Sequence, residues 1–118
     1  MSSPRPLRIS GLPDPAAAAN GDYVRYAATP ELNGRAVYSQ KDSAAKNYLW
    51  HDGHSWSLGP EIDGEQCCLY ADSSVQNPAE VTEGWKVWDG HDWADLYNVA
   101  TRPGRIALSD TVRCHSCL

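Results

Sequence analysis

Leu49-Trp50-His51-Asp52-Gly53-His54-Ser55-Trp56 returns, one residue shorter, as Val87-Trp88-Asp89-Gly90-His91-Asp92-Trp93. Each copy sets an Asp-Gly pair between aromatic, strand-coloured flanks, a strong short-range signal for a β-hairpin. A two-residue Asp52-Gly53 turn in the first copy places Leu49 opposite Trp56. A three-residue Asp89-Gly90-His91 loop in the second places Val87 opposite Trp93. These aliphatic–Trp pairs are expected to face the core, with Trp50 and Trp88 on the opposite face.

Outward from these hairpins, Asn20-Gly21, Asn33-Gly34 and Asp63-Gly64 supply further residues that tolerate positive φ. Between the turn signals lie residues 22–26, 35–39, 47–51, 55–58, 67–71 and 85–88, all of strand length and each with at least one Tyr or Trp. Leu7-Arg8-Ile9-Ser10 offers an added edge strand. No stretch sustains a helical period; Asn77-Pro78-Ala79-Glu80-Val81-Thr82-Glu83 predicts a single helical turn, with Asn77 capping and Pro78 at the first helical position. The fold expected is all-β: an antiparallel meander or small barrel-like sheet of about six to eight strands, with flexible termini. The chain divides into an N-terminal segment 1–6, a Trp/Tyr-rich module 7–101 and a tail 102–118 that carries Cys-x-x-Cys.

Composition narrows the function. A chain of 118 residues holds one modest core, and Phe is absent while Trp numbers 5 and Tyr 6, so every phenyl or indole ring carries a polar handle. The formal charge of −5, with Lys and Arg scattered singly, argues against nucleic acid as a partner. The start has no long apolar run and Ala16–Ala19 is too short to span a bilayer, so a soluble, cytoplasmic protein without membrane attachment is expected. His115, not a cysteine, stands fourth from the end, which excludes a prenylation signal.

The order Asn20-Gly21-Asp22-Tyr23, then Asn33-Gly34-Arg35-Ala36-Val37-Tyr38, Tyr48-Leu49-Trp50, Trp56-Ser57-Leu58-Gly59 and Gly84-Trp85-Lys86-Val87-Trp88 resembles the short Trp/Tyr-rich β-repeat modules of large multidomain eukaryotic proteins. Ala36 stands where those modules have Pro. The resemblance spans roughly residues 7 to 100 and implies an accessory module for protein contacts, with no transferable activity or catalytic residue.

Candidate chemistry is sparse. There is no Gly-x-Ser-x-Gly elbow and no His-Glu-x-x-His, and Glu61, Asp63 and Glu65 read as a solvated acidic loop, so no enzyme is expected. Cys114 and Cys117, joined by Cys67 or Cys68, are the candidate zinc ligands, with free thiols or a tail-to-body disulfide as the alternatives. Asp52, His54, Asp89 and His91 would meet around a metal only if the two hairpin tips converged. Trp50, Trp85 and Trp88 are the candidate ligand-binding rings. The function expected is a non-catalytic protein-interaction module. Carbohydrate or peptide binding through exposed Trp is the first alternative and zinc-stabilised structure the second.

Overall fold

The computed structural model describes residues 6–41, 46–81, 84–95 and, as backbone, 109–110. The chain is all-β. In order it forms β1 (Leu7–Ile9), a 3-10 helix (Ala16–Ala19), β2 (Gly21–Arg25), β3 (Glu31–Leu32), β4 (Arg35–Ala36), β5 (Tyr38–Gln40), β6 (Tyr48–His51), β7 (Ser55–Gly59) and β8 (Leu69–Asp72). A second 3-10 helix (Pro78–Glu80), β9 (Lys86–Trp88), β10 (Trp93–Asp95) and β11 (Ser109–Asp110) follow. Nine strands form one antiparallel, curled sheet in the order β10-β9-β8-β7-β6-β5-β2-β1-β11, while β3 and β4 make a separate hairpin.

The strands fall where the patterned runs predict, and the excess over the expected count comes from short pieces. Val37 splits the 35–39 run into β4 and β5. Leu7–Ile9 is not an edge, because β11 pairs outside it, Leu7 with Asp110 and Arg8 with Ser109. The predicted helical turn is present: the Asn77 side chain accepts the Ala79 N–H at 2.9 Å, with Pro78 at the first position. The second helix-like turn, Ala16–Ala19, carries no patterned signal beyond its alanines.

Alternation sorts the two faces. Leu7, Ile9, Tyr23, Tyr38, Leu49, Trp56, Leu58, Leu69, Ala71 and Val87 share one buried cluster with Leu12, Ala16, Ala19 and Trp85. Large fully buried side chains of this kind contribute about 2 kcal/mol each relative to exposure. Trp50 and Val37 are also enclosed, at 2% and 0% exposure, yet lie outside that cluster, beside the small buried Ser39 and Ser57. The opposite face is therefore partly covered too.

Each end of the curled sheet is tied. At the upper end the β3–β4 hairpin turns on Asn33 and Gly34, both with positive φ (54° and 80°), as a tight two-residue turn requires. Asn33 donates to the His51 carbonyl at 2.9 Å, and Arg35 donates through Nε to the Val75 carbonyl at 3.2 Å. At the lower end the β1–β2 connection plugs the curl. Buried Gln40 donates to the Ala18 and Asn20 carbonyls at 2.9 and 3.1 Å and accepts from Asn47 at 3.1 Å. The Tyr23 hydroxyl donates to the Ala19 carbonyl at 2.7 Å.

Both Asp-Gly hairpins differ from expectation in register. In each, the Asp carboxylate accepts two backbone N–H groups at 2.8 Å, from His54 and Ser55 in one and from His91 and Asp92 in the other. This Asx closure places Asp just before the turn, so the two central residues become Gly-His in both copies, with glycine φ of 103° and 100°. Hairpin one then pairs His51 with Trp56 and Leu49 with Leu58, two residues out of the predicted register but with the same face inward. Hairpin two pairs Trp88 with Trp93 and Val87 with Ala94. Here the slip is one residue, and one residue changes face: Trp93 leaves the core side and joins Trp88.

Candidate aromatic groove

Trp88 and Trp93 meet edge to face, ring centroids 5.4 Å apart at 66°, and Tyr70 abuts Trp93 in the same manner at 4.8 Å and 85°. Such geometry fits the ring quadrupoles and holds three aromatic groups in a fixed arrangement without a hydrophobic lid. Trp93 stays 36% exposed, the one large hydrophobic side chain that stands out in this way among the described residues. Trp88 is half-buried beside it.

A groove of about 490 Å³ runs along these two indoles, walled on its other side by Pro60, Glu65, Gln66, Cys67 and Cys68 and reached by Asn47. The wall exists because residue 59 has no side chain. A Cβ on Gly59 would stand 2.3 Å from the Gln66 carbonyl oxygen and 3.0 Å from the Cys67 Cα, so the 60–67 connection folds back against bare backbone at the end of β7. The connection itself turns at Asp63, whose φ of 59° is left-handed, and closes with the Gly64 N–H donating to the Glu61 carbonyl at 3.1 Å.

The polar groups of the groove are protonated thiols, amides and a carboxylate. Burial pushes the Cys68 thiol up to about 11 and also raises Cys67, so both are weak nucleophiles near neutrality. At the adjoining turn, the N–H bonds from Asp92 and His91 hold Asp89 below the usual carboxylate range. Asp52, at the other hairpin, is raised by partial burial, but the His54 and Ser55 N–H groups outweigh that and leave it lowered.

Of the three rings expected to bind ligand, Trp88 lines this groove and Trp50 and Trp85 do not. Trp50 is enclosed on the same sheet face, and Trp85, at 7% exposure, belongs to the core cluster. Trp93, assigned by sequence to the core, is the ring that joins Trp88. Cys67 and Cys68 are free thiols lining the groove, while Cys114 and Cys117 lie outside the described residues. Among the described residues no group of three or more His, Cys, Asp or Glu is placed to hold a metal ion. The two hairpin tips do not converge: three antiparallel strands, β7, β8 and β9, separate them, which sets Asp52 and His54 at the upper end and Asp89 and His91 at the lower.

Sequence reasoning missed the turned-back 60–67 wall and Tyr70. Gly59 was the available signal, a glycine closing a strand where a close backbone approach is a standing explanation. No protein-family model, curated protein or solved structure matches the chain. No helix among the described residues is long and apolar enough to cross a membrane.

Proposed function

We propose that the chain is a non-catalytic protein-interaction module that holds an extended peptide segment in the Trp88–Trp93 groove. The observation that carries this reading is the pair of adjoining, partly exposed indoles in a groove of about 490 Å³ on a protein whose other three Trp side chains are buried. Trp is among the residue types most enriched in binding hot spots, and an exposed pair returns little fold stability for the apolar surface it shows to water. The raised thiols, and a described lining that holds no His, support a non-catalytic role.

A second reading, carbohydrate binding, draws on Gln66 and Asn47, amide residues that line the same groove as the indoles, as recognition of sugar hydroxyls favours. Parallel screening of the purified chain on a peptide array and a glycan array, each repeated with Trp93→Ala, separates the two. Peptide signals lost in the variant support the proposal, and glycan signals lost in the variant replace it. Signals unchanged by Trp93→Ala sink both.

A further inference from the structure

We infer that the groove selects a cationic peptide side chain, an arginine guanidinium lying on the exposed indole of Trp93 with its charge answered by Glu65. This rests on the peptide-binding reading and adds the chemical class of the ligand. At its Glu65–Gln66 end the groove passes into a second depression that shares Pro60, Glu65 and Gln66 and adds Glu61 and Gly64. Both Glu61 and Glu65 are exposed, and among the described residues neither carboxylate has a hydrogen-bond or ion-pair partner. Elsewhere on the molecule the acids opposite arginine are engaged, Asp22 by Arg8 at 2.7 Å and Glu31 by Arg25 at 3.3 Å.

Among the described residues the lower end leans negative. Asp63, Asp89 and Asp92 are exposed there with the two glutamates, against Lys41 and Lys46, and Lys86 faces Asp95 across the β9–β10 pair. An indole face attracts a cation through its quadrupole, and a carboxylate at the edge of the same trough adds a directional acceptor. A planar guanidinium satisfies both at once, stacking on the ring while its N–H fork meets the carboxylate; an ammonium meets only one well. A neutral sugar or an apolar side chain leaves Glu61 and Glu65 unanswered.

The test is a random heptapeptide library displayed on phage, selected on the 118-residue chain and counter-selected on Trp93→Ala. Arginine is expected at a shared position of the enriched sequences. The most enriched peptide is then synthesised with arginine or with citrulline, which keeps the plane and loses the charge, and titrated by Trp fluorescence. Citrulline is expected to weaken binding about tenfold or more, Glu65→Gln to do the same to the arginine peptide, and added salt to weaken it further. Enriched sequences without a basic residue, or equal binding of the two peptides, overturn the cation assignment and leave the groove reading standing. A selection that never distinguishes the chain from Trp93→Ala overturns both.

Discussion

At the scale of single residues, the five tryptophans illustrate how far exposure departs from ring chemistry. Trp50 and Trp56 are enclosed, so Trp50→Ala and Trp56→Ala should each destabilise by about 3–5 kcal/mol in denaturant titration. Trp93→Ala should cost about 1 kcal/mol or less, the loss of its edge contacts to Tyr70 and Trp88. A larger effect at Trp93 than at Trp50 would contradict the burial of Trp50 and the exposure of Trp93. Gly59→Ala sets a methyl where the Gln66 carbonyl stands at 2.3 Å, and backbone cannot yield cheaply; a loss of about 2 kcal/mol and of groove binding together is expected. Cys68 gives a pH signature. Its thiol loses its proton near 9.0 when exposed and near about 11 in the fold, so the unfolded chain sheds the proton first and stability falls as pH rises between those values. The loss amounts to about 2 kcal/mol. Tyr23, whose buried hydroxyl is raised too, adds in the same direction above 10.0. Urea titrations at pH 8 and 10.5 should therefore differ less in Cys68→Ala than in the parent chain.

At the scale of elements, strand existence was legible and register was not. The β6 to β9 runs lie within a residue or two of their predicted spans because alternation and turn chemistry agree there. Register depends on which turn position Asp occupies, and the Asx bonds decide that in favour of the residue before the turn. For hairpin one the slip of two kept Leu49 and Trp56 inward; for hairpin two the slip of one carried Trp93 outward, and with it half of the candidate site. Acid should loosen both turns. A carboxylate lowered in the fold contributes stability above its ordinary value of 3.8, and that contribution disappears as pH falls through the depressed value. Asp52→Ala should cost about 1 kcal/mol at neutral pH, and the difference from the parent chain should close in strong acid, measured by thermal melts across pH 2–7. His51 ties the same hairpin to the β8–β9 connection: its Nδ1 accepts the Gly53 N–H at 3.1 Å, so Nε2 bears the proton given to the Ser73 carbonyl at 2.7 Å.

At the scale of the whole molecule, the two ends of the curl serve different ends of the chain's logic. The upper is closed by Asn33, Arg35 and Gln76 reaching across to backbone carbonyls. The lower is plugged through Gln40, 3% exposed and bonded on both sides of its amide. Gln40→Leu should strand the Ala18 and Asn20 carbonyls and cost about 2 kcal/mol or more, with amide exchange rising first in residues 16–20. None of these long-range ties was readable in the sequence, because a glutamine or asparagine announces no partner until the topology supplies one. The two Asp-Gly-His turns carry a further lesson. Counting outward from the turn, His51–Trp56 and Trp88–Trp93 are the same rung, and both meet edge to face, at 5.3 and 5.4 Å. One rung is a pillar inside the protein and the other is displayed outside it, and the difference is the parity of the residues that lead into the turn. Chain length, counted in ones, thus sets what the molecule shows to its surroundings: a single residue inserted between Trp88 and Asp89 would turn β10 over and carry Trp93 out of the groove.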